Sequence, residues 1–296
     1  MKQFTTIVIP ESDSRLKPFA ERLEPLAGTV RTFNAPFESK PQLIERIGEA
    51  DVVLPMGGTR LDAEVIASAG NLRYIGLGAT LFSGPHCNID LAAAEARGIR
   101  VTGVRDYGDI GVAEWVAAES IRYLKREAIN GELAGTCLGV IGAGAAGGLT
   151  ARTLKALGAE VRYFSRSRKE LLEAEGVEYR LLNELLAECR IVSVHLPRHT
   201  SLLGVEELAS LGSGKLLFNT SVGLPVDPGA LRAWLEDPAN YFAADSDGIG
   251  EMLAVAESHP RIIYLPRSSG YTAQAADRMY AQVEQQLVAF LNESGA

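Results

Sequence analysis

The segment Leu138-Gly-Val-Ile-Gly-Ala-Gly-Ala-Ala-Gly147 joins an apolar run to three glycines with the spacing G-x-G-x-x-G. Glycines at this spacing permit a tight turn at Gly142, close approach of backbone to a pyrophosphate at Gly144, and close packing of a helix on a strand at Gly147. The motif therefore predicts a dinucleotide site. We expect the dinucleotide to contact Gly142, Gly144, Ala145, Ala146 and Gly147.

The residues around the motif strengthen this prediction, because the glycine spacing alone is a weak indication. Residues 137–141 read as a buried strand, and residues 149–157 have apolar positions at helical spacing. Gly158 ends the helical pattern, and Val161–Phe164 reads as the next strand. The motif thus lies in the strand-turn-helix-strand unit in which it functions.

The end of that next strand indicates which dinucleotide is bound. Eighteen residues beyond Gly147, where a site for NAD normally carries an Asp or Glu for the ribose 2′-hydroxyl, the chain has Ser165. The segment Ser165-Arg-Ser-Arg-Lys169 offers hydroxyls and guanidinium groups, which suit a 2′-phosphate. We therefore predict NADP(H), bound through Ser165, Arg166, Ser167 and Arg168. The alternative interpretation is a solvated basic turn.

Composition excludes several classes of protein. A length of 296 residues suggests about two domains, and 47% hydrophobic residues suffice for two packed cores. The net charge of -8, without a basic run, disfavours nucleic acid or an anionic membrane as a partner. Three widely spaced cysteines indicate neither a disulfide framework nor a metal site. No signal peptide or membrane-spanning run is recognised, so we expect a cytoplasmic protein that acts on a small molecule.

Short apolar runs alternate with amphipathic segments along the first hundred residues. This alternation predicts right-handed crossovers and a parallel sheet. Strands are expected at 5–9, 30–33, 51–54, 72–77 and 99–104, and helices at 16–26, 41–47, 61–67 and 91–96.

A second α/β unit follows a long apolar helix expected at 111–125. Besides the two strands flanking the glycine motif, strands are expected at 191–194, 215–219, 241–244 and 262–265. The last helix, 272–291, carries an apolar face, which predicts that it returns to the first domain. That face consists of Ala275, Met279, Val283, Leu287 and Phe290.

With this order of elements, the chain resembles the D-isomer-specific 2-hydroxyacid dehydrogenase family over nearly its whole length. The matching stretches are Asn88–Gly98, Tyr107–Glu114, the glycine motif, His195-Leu-Pro197, Asn219-Thr-Ser221 and Val226-Asp227. The resemblance implies hydride transfer between a nicotinamide cofactor and a 2-oxo or 2-hydroxy acid, in a homodimer. It also implies an α/β protein of two doubly wound parallel-sheet domains. We expect a flavodoxin-like substrate domain at 1–102 plus 269–296, and a Rossmann nucleotide domain at 103–268.

Three catalytic side chains of the family are absent from this chain. Where the family has its substrate-binding arginine, the chain has Val222, and where it has the glutamate that orients the catalytic imidazole, the chain has Gly248. The catalytic histidine is replaced by Arg267. Because a positioned general acid typically contributes about 10²–10⁴ in rate, the ordinary reaction of the family is doubtful.

The cofactor side resembles the family without such losses. The resemblance places His195 and Pro197 along the nicotinamide, Thr220 and Ser221 beside its ribose, and Asp245 at its carboxamide. It also implies that backbone amides after the fourth strand grip the substrate carboxylate. These would be the amides of Gly78, Ala79 and Thr80.

Arg267 is the best replacement for the missing groups. At the position of the family's histidine, a permanent cation would stabilise the negative charge that develops on the substrate oxygen. Tyr271, beyond a flexible Gly270, would supply the proton, and Asp247 would orient Arg267. The alternatives are a salt bridge for Arg267, a packing role for Tyr271 and a plain turn at Asp247. His86 is a further candidate acid.

The sequence therefore predicts an NADP(H)-dependent oxidoreductase that reduces a 2-oxo acid, or a related carbonyl or imine, with an altered catalytic site. The alternative is a non-catalytic NADP(H)-binding sensor or interaction protein derived from the same family.

Overall fold

The computed structural model describes residues 3–12, 16–82, 87–198 and 200–293. The chain divides into two compact units: Met1–Tyr107 with Ala276–Ala296, and Gly108–Ala275. The observed boundaries between the units lie a few residues C-terminal to those expected at 102 and 268. We call the first the N-terminal unit and the second the nucleotide unit.

The N-terminal unit contains one sheet of five parallel strands in the order β2-β1-β3-β4-β5. This is the flavodoxin-like order, so the predicted fold class of this unit is confirmed. The strands are β1 (Phe4–Val8), β2 (Ala27–Arg31), β3 (Val52–Val53), β4 (Tyr74–Leu77) and β5 (Arg100–Gly103). The expected start of β2 at residue 30 is wrong, because the pairing with β1 already begins between Phe4 and Ala27.

The helices of the N-terminal unit pack on the sheet, and the buried residues of helices and strands form two apolar clusters. They are α1 (Lys17–Leu23), followed by a 3₁₀ turn (Glu24–Leu26), α2 (Lys40–Ile47), α3 (Ala63–Ser68) and α4 (Leu91–Ala96). The long last helix, α12 (Ala273–Glu293), places Met279, Val283 and Leu287 in the cluster that contains Phe4 and Tyr74. Its predicted return to the first domain is thereby confirmed.

The nucleotide unit contains a sheet of seven parallel strands in the order β12-β11-β10-β9-β6-β7-β8. Read from β8, this is the Rossmann order 3-2-1-4-5-6 with one further strand, which confirms the predicted class. The strands are β6 (Cys137–Ile141), β7 (Glu160–Phe164), β8 (Glu178–Tyr179), β9 (Ile191–Val194), β10 (Leu216–Asn219), β11 (Tyr241–Asp245) and β12 (Ile262–Leu265).

Several helices of the nucleotide unit are too short to be recognised from periodicity. The helices are α5 (Asp109–Leu124), α6 (Ala145–Ala156), α7 (Glu170–Ala174), α8 (Leu182–Glu188), α9 (Val205–Leu211), α10 (Pro228–Trp234) and α11 (Leu253–Ala256), with a 3₁₀ segment at Ser246–Met252. Helix α6 begins at Ala145, four residues earlier than expected, because Gly144 is its N-cap. Among the described residues, none of the helices has both the length and the apolar character needed to cross a bilayer.

The register of the central strands brings distant residues to one edge of the sheet. Ile141 pairs with Val194, and Val194 pairs with Asn219. Asn219 pairs in turn with Ala244. Because these strands are parallel, the residues that follow them lie side by side at the carboxyl edge, where open α/β sheets bind ligands.

Candidate functional site

The glycine turn after β6 has the geometry that its spacing predicts. Gly142 has φ +92°, which favours glycine, and a Cβ added there would overlap the carbonyl oxygen of His195. A Cβ at Gly147 would overlap the carbonyl oxygen of Gly142. A Cβ at Gly144, by contrast, would meet no atom within 4 Å. Two glycines therefore close the turn tightly, and the middle one leaves open space at the start of α6.

The first turn of α6 is suited to an anion. The amides at the start of a helix have no carbonyl partner inside it, and the helix dipole places partial positive charge there. A cavity of about 410 Å³ opens beside this turn. It is lined by Ala143, Gly144, Gly148, Arg152, Arg168, Lys169, Glu170, Leu171 and Leu172. The cavity joins the glycine turn to the basic segment after β7, as one bound dinucleotide would require.

The basic segment after β7 is partly neutralised by carboxylates. The Arg168 guanidinium forms two hydrogen bonds with Glu173, one of them from Nε at 3.0 Å. It also lies 5.2 Å from the ring centroid of Tyr179. The bonds from Arg168, with one from the Tyr163 hydroxyl, lower the pKa of Glu173 to about 2. Both Arg166 and Arg168 are exposed, but the bonds to Glu173 hold Arg168 in place at the cavity wall.

Ser165 and Ser167 lie in the same turn, and Ser165 is its first residue. Ser165 is half-buried and Ser167 is exposed. The ammonium group of Lys169 donates to the Ser167 hydroxyl at 3.2 Å and belongs to the cavity lining. Arg152 reaches the cavity from α6 and is paired with Glu175 at 2.5 Å. Reasoning from the sequence missed Lys169 and Arg152 as cavity residues. The basic run 165–169 could have indicated that Lys169 lines the cavity. No feature of the sequence near Arg152 indicated the same for that residue.

His195 links the carboxyl ends of three strands. Its Nε2 is 2.9 Å from the Ser193 hydroxyl, and its Nδ1 is 2.8 Å from the Thr220 hydroxyl. Since the Thr220 hydroxyl donates to the carbonyl of Val194 at 3.1 Å, Thr220 accepts from Nδ1–H, and Nε2 accepts from Ser193. Burial lowers the pKa of His195 to about 4, so the imidazole is neutral near pH 7. His195 therefore braces the glycine turn as a neutral group.

Asn219 organises the loops that follow β10 and β11. Its side-chain amide donates to the carbonyls of Gly223 at 2.9 Å and Gly248 at 2.8 Å. Its Oδ1 accepts from the amide of Ser221 at 2.9 Å. A Cβ at Gly248 would lie 2.9 Å from the carbonyl oxygen of Ser221. The space beside Gly248, where the resemblance implies a glutamate, is therefore filled by backbone, which leaves no room for a carboxylate in this loop arrangement.

Ser221 and Asp245 are both buried, and each has a backbone partner. The Ser221 hydroxyl accepts from the amide of Leu196 at 2.8 Å. Asp245 Oδ2 accepts from the amide of Ser269 at 2.5 Å, while burial raises the pKa of the Asp245 carboxyl. Pro197 is exposed. Asp245 thus links the end of β11 to the segment after β12 by a hydrogen bond. This link is separate from any contact between Asp245 and a cofactor.

The three catalytic candidates lie in the nucleotide unit, on two of its loops. Arg267 and Asp247 are exposed, and no ion pair joins them in the part of the chain that the structure describes. Tyr271 is half-buried, and its amide donates to the carbonyl of Ser268 at 3.1 Å. The proposed role of Asp247 as the partner of Arg267 is therefore not seen as an ion pair here.

The loop that carries Arg267 is anchored by close glycine contacts. Gly270 is buried, and a Cβ added at Gly108 would lie 2.8 Å from its carbonyl oxygen. A Cβ at Gly111 would lie 2.5 Å from the carbonyl oxygen of Ser269. The expectation of a flexible Gly270 is therefore wrong, because small residues at the start of α5 allow this loop to pack directly against the helix.

The N-terminal unit contains the residues predicted to bind the substrate carboxylate. The amide of Gly78 donates to the carbonyl of Pro55 at 2.8 Å and is thereby already used. Within the described ranges, no carbonyl accepts from the amides of Ala79 or Thr80. Of the three predicted positions, Ala79 and Thr80 are therefore the two whose backbone amides remain available to a substrate carboxylate. His86 lies outside the described residues.

Glu11 is a half-buried acid at this edge of the sheet that reasoning from the sequence missed. It accepts hydrogen bonds from the Thr59 hydroxyl and from the amide of Met56, the latter at 2.8 Å. Its other oxygen is buried and has no partner among the described residues. Burial raises the pKa of Glu11. Gly57 lies between these partners, and a Cβ there would be 3.1 Å from Cβ of Ala79, so Glu11 belongs to the predicted substrate side.

Comparisons with known proteins agree with the geometry of both units. Residues 111–246 match the family model described as the NAD binding domain of D-isomer specific 2-hydroxyacid dehydrogenase. A glyoxylate reductase of Aeropyrum pernix is 31% identical over 289 residues, which cover 86% of this chain and 83% of that protein. An erythronate-4-phosphate dehydrogenase of Azotobacter vinelandii is 33% identical over 247 residues, which cover 80% of this chain and 62% of that protein.

The fold is also found in solved structures. The pyruvate reductase of Chlamydomonas reinhardtii superposes with a TM-score of 0.83 over 98% of this chain and 97% of that chain. At 22% identity, this likeness shows a shared fold.

Proposed function

The chain belongs to the D-isomer specific 2-hydroxyacid dehydrogenase family, and on this premise we propose that it is an NADP(H)-dependent oxidoreductase with an altered catalytic site. Its substrate is a 2-oxo acid or a related carbonyl or imine. The observation that supports this proposal most is the glycine turn, with open space at Gly144, beside a cavity lined by basic side chains. We also propose the homodimer that the resemblance implies, and the cytoplasmic location that the cysteine pattern and the lack of a recognised signal peptide predict.

The residues of the nucleotide unit fit a nicotinamide dinucleotide. The first turn of α6 would hold the pyrophosphate, and the cavity beside it would hold the adenosine half. His195, Thr220 and Asp245 would line the nicotinamide half at the carboxyl edge of the sheet. When bound, the reduced nicotinamide supplies a hydride. The neutral state of His195 suits a structural role, because a histidine with a pKa of about 4 carries no imidazolium proton that it could transfer to a substrate near pH 7.

The preference for NADP(H) is supported by the balance of charge around the cavity. No carboxylate occupies position 165, and two basic side chains of the turn, Arg166 and Lys169, have no ion pair within the described ranges. Arg168 is paired with Glu173, which positions its planar guanidinium at the cavity wall. A dianionic 2′-phosphate would find charge-assisted donors here, whereas position 165 offers no carboxylate to a ribose 2′-hydroxyl, and Glu170 is the acid that the cavity lining contains.

Replacing both arginines should change the affinity for NADPH selectively. We expect Arg166→Ala with Arg168→Ala to raise the Kd of NADPH by roughly 100-fold or more, because at least two charge-assisted hydrogen bonds of about 1.5 kcal/mol or more each are lost. The Kd of NADH should change by less than about threefold, since its ribose lacks the phosphate. Titration of the quenching of protein fluorescence measures both constants.

The matched control is Arg232→Ala, which removes an exposed arginine from α10 of the same unit. It should leave both constants unchanged. An equal loss of NADPH and NADH affinity in the double variant would contradict the phosphate assignment.

The altered catalytic site is proposed to depend on electrostatic stabilisation. Arg267, on the loop that follows β12, carries a permanent positive charge, because a guanidinium group stays protonated in proteins. We propose that it faces the substrate oxygen and stabilises its developing charge, and that Tyr271 delivers the proton. Ser268–Tyr271 is packed against α5, so this loop can hold a catalytic group in a fixed position.

Turnover with a panel of substrates tests the proposed function. Oxidation of NADPH at 340 nm should accompany reduction of at least one member of a set of 2-oxo acids, 2-oxo acid phosphates and cyclic imines. If NADPH binds tightly but no member is reduced, the proposal of an oxidoreductase fails, and the result favours an NADP(H)-binding sensor. Two observations favour this second candidate: the exposed Arg267 forms no ion pair among the described residues, and backbone fills the space beside Gly248.

A further inference from the structure

Two thiols outside the candidate site lie in direct contact. Cys137 is the first residue of β6, and Cys189 follows α8. Their Sγ atoms are 3.1 Å apart, and both residues are free cysteines in this structure. The third cysteine, Cys87, belongs to the N-terminal unit. The contact joins residues 52 positions apart in the sequence.

The strand register places the two backbones at a distance suited to a disulfide. The amide of Arg190 donates to the carbonyl of Cys137 at 3.0 Å, so Cys189 is one residue away from the position opposite Cys137. Strands about 4.8 Å apart with a rise of about 3.3 Å per residue then put the two Cα atoms about 5.8 Å apart. This falls within the range of about 4.4–6.8 Å that disulfides span, so a bond would require only that the sulfurs close by about 1 Å.

The two thiols differ in exposure and acidity. Cys137 is half-buried, whereas Cys189 is buried in the apolar cluster that contains Leu185 and Val192. The thiol of Cys189 hydrogen-bonds to Cys137 and lowers the pKa of Cys137, an effect that Arg162 reinforces. The same hydrogen bond, together with burial, raises the pKa of Cys189. Cys137 is therefore the better nucleophile, because the thiolate is the reactive form.

We propose that Cys137 and Cys189 form a reversible oxidation site at which a hydroperoxide converts the two thiols into a disulfide. The Cys137 thiolate attacks one peroxide oxygen, so that an S–O bond forms, the O–O bond breaks, and the released hydroxide takes up a proton as water. Cys137 is thereby oxidised by two electrons to a sulfenic acid. Cys189 then attacks the Cys137 sulfur, the S–S bond forms, the S–O bond breaks, and a second water leaves with the proton of Cys189. A dithiol reductant restores the two thiols by exchange and is itself oxidised to a disulfide.

The disulfide would stabilise the half of the nucleotide unit that contains the glycine turn. Cys137 and Cys189 enclose the segment from β6 to α8, which includes both the glycine turn and the basic turn after β7. A bond that closes a loop of this size restricts the unfolded chain strongly. We expect oxidation to raise the Tm of the nucleotide unit by roughly 10 °C.

Oxidation of the purified full-length protein tests the proposal without a substrate or cofactor. After treatment with a small excess of hydrogen peroxide, the thiol titre should fall from three to one, and the mass should fall by two hydrogens. Peptide mapping should find Cys137 linked to Cys189, and dithiothreitol should restore both thiols and the original Tm. A protein that keeps three thiols, or that forms only intermolecular bonds or a bond to Cys87, would overturn the proposal.

Single serine variants separate the roles of the two thiols. Cys189→Ser should leave a sulfenic acid at Cys137 that dimedone captures, whereas Cys137→Ser should leave Cys189 unmodified because it is buried and weakly acidic. Neither variant should show the rise in Tm. Cys87→Ser is the matched control and should form the disulfide like the parent chain. Equal capture of both thiols by dimedone would contradict the assigned order of attack.

Discussion

Gly147→Ala is expected to lower the Tm of the nucleotide unit by roughly 10 °C, the loss that a destabilisation of about 3 kcal/mol produces in a unit of this size. The added Cβ would overlap the carbonyl oxygen of Gly142 and lie 3.2 Å from Cβ of His195. The first of these neighbours is backbone in a turn with φ +92° at Gly142, so it cannot yield as a flexible side chain would. Calorimetric unfolding measures the loss, and binding of NADPH should weaken with it.

Two neighbouring glycines provide matched controls. At Gly148, a Cβ would meet only Nη1 of Arg152 at 3.6 Å and Cδ1 of Leu172 at 4.0 Å, so Gly148→Ala should be neutral or stabilising. Gly144→Ala should leave the Tm within a few degrees, because its Cβ enters open space, yet weaken NADPH binding at least tenfold where the pyrophosphate approaches. If Gly144→Ala binds NADPH normally, this space does not hold the pyrophosphate.

Arg267→Gln is expected to reduce kcat by about 10²–10³-fold for the substrate that the panel of 2-oxo acids and imines identifies, with little change in Tm. This is the typical cost of removing one preorganised group that stabilises a developing oxyanion. The Tm should be retained because Arg267 is exposed and has no ion pair within the described ranges, so its removal breaks no structural contact. Steady-state kinetics and thermal unfolding of the same samples separate the two effects.

Two further variants show whether charge at position 267 is responsible. Arg267→Lys should recover part of kcat, since it keeps a cation but loses the planar donor geometry. Arg232→Ala, an exposed arginine on α10, should keep full activity. A kcat for Arg267→Gln within threefold of the parent value would exclude the proposed electrostatic role and would leave Tyr271 as the remaining candidate.

The alternation of strands and helices, and therefore the two parallel sheets, could be predicted from the sequence. Burial imposes a local periodicity on each element, and right-handed crossovers leave few ways to connect such elements. The turn at Gly142–Gly147 could also be predicted from the sequence, because its backbone conformation depends on residues next to one another. Very short elements such as β8 were missed, since two residues of an edge strand carry no period.

The sequence by itself determined the family, the fold class and the place of the dinucleotide motif, because these depend on local spacing. Only the tertiary structure decided how side chains pair across elements. It placed Glu173 against Arg168, packed Gly270 onto Gly108, filled the space beside Gly248 with backbone, and brought Glu11 to Thr59 and Cys137 to Cys189. Each of these contacts depends on side-chain packing and on the register of elements that meet in the folded chain, and linear spacing does not specify either.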